Sequence, residues 1–296
     1  MHDTNVSGAG LAGAGPSSET PPTATTSTVE ARRRRRPGLV PAPLILPAVL
    51  ALLFLVMPVV GLLVRAPWRQ LPQRLVAPAV LDALRLSLVA ATLATAICIV
   101  LGVPLAWMLA RIEFPGRRLV RALVTVPLVL PPVVGGLSLL LLLGRRGIAG
   151  QWLYKWFHVS IPFTTTAVVI AEAFVAMPFL VIAVEGALRG ADDRYEEAAA
   201  TLGAGRWTTF RRVTLPLVAP GIAAGSVLCW ARALGEFGAT ITFAGNFPRK
   251  TQTMPMNVYL LLETDPSAAI VLSLVLLAVS VAVLASLRER WIGGLS

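Results

Sequence analysis

Six stretches of the chain, 44–64, 83–109, 123–143, 165–188, 220–244 and 267–287, are long and apolar enough to cross a bilayer as helices. A hydrocarbon core of about 30 Å takes about 20 helical residues. Lipid offers no partner to a backbone amide, and these runs are too long and too evenly apolar for the alternating strands of a barrel. The expected fold is therefore all-α, a polytopic membrane protein with six transmembrane helices. Pro58, Pro104, Pro127, Pro131, Pro132 and Pro178 fall inside the runs, where neighbouring helices can satisfy the freed carbonyls. Pro131-Pro132 followed by Gly135-Gly136 breaks the third run, as either a gate or a kink packed by close helix contact.

Composition agrees with the pattern. At 56% hydrophobic and 14% charged residues, with mean hydropathy +0.74, a chain of this size has too little polar surface to cover a soluble globule. The formal net charge is +11, and only Lys155 and Lys250 among the 26 basic residues are lysine. A basic balance can mean nucleic acid; here the arginines flank apolar runs, so topology explains them better. With the amino terminus inside, 16 basic residues fall on one side and nine on the other, Arg232 lying within a run. Because Lys and Arg favour cytoplasmic loops, both termini and the polar segment around Glu197 are expected inside a bacterial plasma membrane.

Residues 1–40 are rich in Ser, Thr, Pro, Gly and Ala and end near Arg32 to Arg36; they bury too little to offset ordering entropy and are expected to be a disordered cytoplasmic tail. The arginines could open a secretory or twin-arginine signal, but the apolar run that follows is too long for a cleaved one. Residues 41–296 then form the membrane domain. Cys98 and Cys229 both lie in apolar runs and make no C-x-x-C, and His2 and His158 stand apart, so neither zinc, disulfide nor a histidine site is expected. Neither lysine sits in a Gly-x4-Gly-Lys-Ser/Thr loop, the element that cradles nucleotide phosphates. The chain is not expected to be an enzyme.

The polar segment 189–218 carries Glu197-Ala198-Ala199, then Gly203, then Val213-Thr214-Leu215-Pro216. Residues 195–202 favour a helix, Gly203 permits the left-handed turn that ends it, and 207–213 can form a second short helix before Pro216 ends the segment. The alanines 198–200 offer a flat face for another protein, with Glu197, Arg206, Arg211 and Arg212 around it. The plainer alternative is an amphipathic interfacial helix.

That spacing resembles the cytoplasmic signature of binding-protein-dependent type I ABC-importer permeases. Leu130-Pro131-Pro132-Val133-Val134-Gly135-Gly136, Leu143-Gly144-Arg145-Arg146-Gly147, Gly235-Glu236-Phe237-Gly238-Ala239-Thr240, Ala244-Gly245-Asn246 and the run from Pro248 to Pro255 look like the molybdate permeases, with the sulfate permeases as near relatives. The likeness covers about 84–287. It implies a type I importer permease fold and a homodimer. It also implies two cytoplasmic ATPase subunits (ModC-like) that bind ATP and Mg, since no cofactor is expected in this chain. An extracytoplasmic molybdate-binding protein (ModA-like) would deliver the oxyanion, transport would proceed by alternating access, and tungstate and sulfate are the alternative cargoes. On this resemblance Glu197, Ala198, Ala199, Gly203, Arg206, Val213, Leu215 and Pro216 couple to the ATPase.

Arg232 and Glu236 stand four residues apart on one face of the expected fifth helix. Each costs on the order of 2.5–3.5 kcal/mol at mid-membrane unless paired or hydrated. A structural ion pair and a pathway role both fit. An oxyanion needs donors, which suits Arg232, Thr240 and Thr242, although the two threonines cannot both face a pathway on a regular helix; Glu236 would orient Arg232 or brace the glycine backbone. Glu172 is expected to pair with an arginine and Glu185 to reach interfacial water, while Trp152, Trp156 and Phe157 read as interface anchors. An ion-coupled secondary carrier or an anion channel would need no ATPase, and neither accounts for the polar segment.

Overall fold

The computed structural model describes residues 42–292; the tail expected at 1–40, with its arginine run, lies outside the described residues. The chain divides into two units, 1–53 and 54–296, and the boundary falls within α1 (Ala42–Val64), an apolar helix long enough to span a membrane. The second unit continues with α2 (Leu71–Leu75), α3 (Pro78–Arg111), α4 (Arg117–Val129), α5 (Pro132–Leu143), α6 (Gly150–Phe157) and α7 (Thr165–Gly190). After these come α8 (Arg194–Thr201), α9 (Arg206–Thr209), a π-helical turn at Phe210–Thr214, α10 (Leu215–Leu234), α11 (Gly238–Ala244), α12 (Met254–Thr264) and α13 (Pro266–Ile292). The described residues are helical with no strand, as the evenly apolar runs require. Among the described residues, five helices are long and apolar enough to span, and a sixth crossing is available if the bent pair α4–α5 counts as one.

The core of the second unit lies where α3, α7 and α10 meet. Small residues let these backbones approach: Ala90, Ala91, Ala94 and Cys98 of α3 are fully buried, as are Ala171 and Ala176 of α7 and Cys229 and Ala233 of α10. In lipid, where apolar burial alone drives little association, such close packing supplies the contact energy. A second cluster, Val80, Ala83, Met254 and Leu272, joins α3, α12 and α13. Beside it Arg74 Nη1 meets Asp265 Oδ2 at 2.5 Å, and Asp265 also caps α13 by accepting from the Ala268 amide at 3.1 Å. The Arg74 guanidinium foremost, and that amide after it, hold the Asp265 carboxyl below its usual range.

Two expectations change, and the expected break in the third run takes a definite form. The third apolar run is two helices meeting at 116°. A residue before proline is pushed out of the α region, and both Leu130 (ψ 129°) and Pro131 (ψ 132°) precede one and are extended. The fifth run, expected as one helix over 220–244, stops at Leu234 and restarts at Gly238, so Glu236 sits in the break rather than on a helix face. Pro216 does not end its segment: helix runs on from Arg206 to Leu234. A proline clashes with the carbonyl four residues back, and the wider turn just before it, in which the Leu215 amide reaches Phe210 O five residues back, accommodates that ring.

The two breaks pack on each other. A Cβ on Gly136 would lie 2.5 Å from Ala239 O, and one on Gly238 would lie 2.8 Å from Pro132 Cβ. Gly136→Val should therefore lower the melting temperature of the detergent-solubilised protein, by the equivalent of about 1–3 kcal/mol for an overpacked contact. Gly186→Ala, in a helix with no described atom within 4 Å of the new methyl, should leave it unchanged or raise it. The lowered Asp265 carboxyl works in the opposite direction to acid: its contribution is present above the ordinary carboxylate value of about 3.9 and is lost as pH falls through its native value. Spin labels at positions 70 and 267 should separate only in strong acid in the wild type, and at every pH in Asp265→Asn.

Candidate functional site

The polar segment is built by local rules at its two ends and by distant contacts in the middle. Glu196 and Glu197 sit in the first turn of α8, where the helix dipole favours acids. The helix closes on Gly203 at φ +80°, with the Gly203 amide donating to Ala200 O and the Ala204 amide to Ala199 O, both at 3.0 Å. No described atom lies within 4 Å of a Cβ built there, so the requirement is for backbone conformation and not for space. Glu197, Ala198, Gly203, Arg206, Arg211, Arg212 and Pro216 are exposed, while Ala199, Val213 and Leu215 are half-buried. Two large apolar side chains face outward beside them, Leu202 (88% exposed) and Trp207 (71%). Trp207 stacks on Phe210, whose ring meets Trp107 of α3 edge-on at 5.7 Å.

Residues the sequence reading passed over anchor the segment to the bundle. Arg111, the last residue of α3, pairs with Asp193, and its Nη2 lies 3.2 Å from Glu196 Oε1. The same oxygen accepts from the Thr214 hydroxyl at 2.9 Å. Of the two adjacent glutamates, then, Glu196 faces the bundle and Glu197 faces out. A cavity of about 550 Å³ between Trp107, Arg111, Glu196, Arg206 and Phe210 separates the segment from the end of α3. Nearby, Arg117 donates to Leu109 O at 2.8 Å, capping α3. Glu185, expected to reach water, instead pairs with Arg121 at 2.8 Å and Arg189 at 2.7 Å.

Within the apolar part, the GEFG and PPVVGG elements are brought together. Glu236 is 2% exposed; its Oε2 meets Arg232 Nη2 at 2.6 Å and its Oε1 accepts from the Ala239 amide at 2.9 Å. The carboxylate thus closes the restarted helix α11 at its first turn, where amides lack partners, while holding the guanidinium. Arg232 keeps 28% of its side chain exposed. Thr242 donates its hydroxyl to Gly238 O at 2.9 Å. Thr240 is fully buried, and its Oγ1 has no hydrogen-bond partner among the described residues. Gly135 and Gly136 are buried at the junction and Pro131 and Pro132 are exposed at its edge. Glu172 of α7 is 1% exposed, and its Oε2 has no partner among the described residues; the arginine expected beside it is absent there.

The segment after α11 folds on itself. Gly245 (φ +70°) and Arg249 (φ +63°) turn the chain, the Thr251 hydroxyl accepts from the Phe247 amide at 2.9 Å and donates to Gly245 O at 3.2 Å, and the Met254 amide donates to Ser87 Oγ at 2.7 Å. Thr165 at the start of α7 donates to Lys250 O at 2.9 Å. The lysine-threonine-glutamine-threonine run is therefore a built loop joined to α3 and α7.

Apolar spanning helices, a small-residue core, two mutually packed breaks and one polar helical hairpin describe a multi-pass membrane protein. Residues 102–294 match the model of the binding-protein-dependent transport system inner membrane component family, and the chain belongs to that family. It is 47% identical over 245 residues to the molybdenum transport system permease protein ModB of Mycobacterium tuberculosis, covering 83% of this chain and 92% of that one. It is 39% identical over 227 residues to the sulfate transport system permease protein CysT of Escherichia coli, covering 76% and 82%. Among solved structures, the bacterial ABC transporter that imports the acidic polysaccharide alginate shares the fold at a TM-score of 0.69 and 19% identity, over 84% of this chain and 93% of that one.

The Arg111 anchor gives a direct test. Arg111→Glu should release the polar segment and speed tryptic cleavage at Arg194 and Arg206 about fivefold, the equivalent of about 1 kcal/mol for a lost charged contact. Adding Glu196→Arg should restore much of the protection.

Proposed function

We propose that the chain is the permease subunit of an ATP-driven importer that carries molybdate into the cell by alternating access. The observation that carries this reading is the 47% identity to a molybdenum permease over nearly that relative's whole length. Two copies of the chain would enclose the pathway, with both termini and the segment 189–218 in the cytoplasm. Two separate ATPase subunits, which bind ATP and Mg, would dock on Glu197, Ala198, Ala199, Gly203 and Arg206 with Val213, Leu215 and Pro216 behind them. The exposure of Leu202 and Trp207 beside that face supports a docking surface there, since neighbouring large apolar groups exposed within a polar rim mark contact sites. An extracytoplasmic binding protein would deliver the anion.

The anchoring of the segment supports its role in transmission. A push on α8 reaches α3 through Arg111 and reaches α10 through Thr214 and the continuous helix behind it, so closure of two ATPases would rotate both helices together. Arg232, the one cation of α10, keeps part of its side chain free and would offer the donors an oxyanion needs; Glu236 holds it in place. The junction of Pro131, Pro132, Gly135 and Gly136 with α11 would act as the gate. Thr242 lies at that junction with its hydroxyl engaged, and Thr240 is enclosed within its own protomer, which leaves Arg232, held by Glu236, as the group best placed to meet the anion. Sulfate or tungstate is the second reading, supported by the 39% identity to a sulfate permease.

Cells lacking the gene should lose uptake of radiolabelled molybdate and regain it on complementation; loss of sulfate uptake with molybdate unchanged would exchange the two readings. Gly203→Asp should remain in the membrane while copurification with the ATPase falls at least tenfold, because an L-residue at φ +80° strains the turn that shapes the dock. Undiminished ATPase binding and transport by that variant would rule the dock out.

A further inference from the structure

The apolar interior of α7 holds an acid that the proposed transport cycle does not use. Glu172 lies seven residues into α7, about 10 Å along the helix, with 1% of its surface exposed and Oε2 unpartnered among the described residues. It lies within electrostatic reach of Glu236. Glu236 has both oxygens committed, one to Arg232 and one to the Ala239 amide.

The helices packed on α7 are α3, α4, α5, α10 and α11, and they bring no second cation to Glu172. Arg232 is the one charged residue of α10, and α5 and α11 carry none. On α3 the group beside it is the Cys98 thiol, which donates to Ala173 O at 3.4 Å, with Cys229 of α10 against that thiol. The charges of α3, Asp82, Arg85 and Arg111, stand near its ends, Asp82 and Arg111 in ion pairs of their own. On α4, Arg121 is held by Glu185, about 20 Å further along α7, Arg117 caps α3 and Arg118 is exposed. Lys250 reaches α7 only through its backbone carbonyl. One guanidinium thus stands against two carboxyls in a place where an unpaired ionised carboxylate is not tolerated.

We infer that Glu172 is a proton-binding site beside the anion pathway, that it carries its proton in the resting protein, and that oxyanion transport requires that proton. The second half rests on the proposed function. When Arg232 turns its donors to an arriving oxyanion, Glu236 loses its counter-ion. With Glu172 protonated the anion meets a single carboxylate, itself held by the Ala239 amide. With Glu172 ionised it meets two, and entry is opposed. Proton binding here is a simple addition to the carboxylate, with no other reactant.

The test uses the complete transporter, this chain with its ATPase and binding protein, in proteoliposomes between pH 6 and 9. Wild-type uptake should fall on the alkaline side towards about tenfold per pH unit, the limit for one required proton. Glu172→Gln, a neutral side chain of the same shape, should keep transporting, so that the ratio of variant to wild type climbs by the same factor. Superimposable pH profiles, or an assembled Glu172→Gln transporter that is inactive at every pH, would overturn the requirement for the proton. A separate arm does not depend on the cargo: dicyclohexylcarbodiimide adds only to protonated carboxyls and should label the Glu172 peptide at neutral pH, less as pH rises, and not in Glu172→Gln. Absence of label at Glu172 between pH 6 and 8 would overturn the proton site itself. Failure of wild-type molybdate uptake with Glu172 labelled would instead count against the cargo.

Discussion

Backbone groups freed by a broken helix have nowhere to go in hydrocarbon, and the architecture around α5 and α11 follows from meeting that demand. Two breaks, at Leu130–Pro131 and at Gly235–Phe237, are set against each other, so that each restarted helix covers the end of the other. Prolines at the start of α5 remove donors that would otherwise be orphaned. At α11 the Glu236 carboxylate takes an amide that proline does not remove. Glycines at 136 and 238 allow the contact to be made backbone to backbone. Because the same carboxylate also holds Arg232, the only charged residue of α10 is fixed by the need to finish a helix end.

The arginine-rich end depends on a different economy. Its contacts are ionic and partly exposed, and each pair taken alone contributes little. Their effect comes from arrangement: Arg111 grips Asp193 and Glu196, Glu196 is gripped again by Thr214, and Trp107 braces Phe210. The hairpin is therefore tied to the ends of two core helices at once. Between the two ends runs α7, the most enclosed of the spanning helices, with Glu172 about 10 Å in from its start and Glu185 close to its end. Glu185 has two arginines and Glu172 has none beside it, a contrast that follows from their distance to the charged surface.

Much of this was legible from pattern. Apolar run length fixed the all-α membrane class, and the glycine at 203 marked the left-handed turn because few other residues tolerate that conformation. Prolines 131 and 132 marked a break, but not that it bends by 116°, since the angle depends on α11, a hundred residues later, offering a place for Gly136. The fifth run read as one helix because 220–244 is largely apolar and its two charges, Arg232 and Glu236, have a four-residue spacing that suits a helix face; only the contact with Pro132 reveals why it must stop. Glu197 drew attention over Glu196 for a similar reason. Which of two adjacent acids turns inward is decided by Arg111, 85 residues earlier, and no local rule reports it.

The π-helical turn at Phe210–Thr214 has a consequence for phase. A turn of this kind is one residue wider than its α neighbour and arises as a single-residue insertion. Each residue of an α-helix advances its side chain by about 100°, so the surplus residue sets the azimuth of α9, and of the exposed Trp207, relative to every side chain of α10. Arg206 to Leu234 behaves as a shaft with an indexed coupling in it: the number of residues in that turn decides which way the hairpin points when Arg232 is facing its glutamate. Removing one would leave every helix intact and aim the hairpin about a quarter-turn away from Arg111.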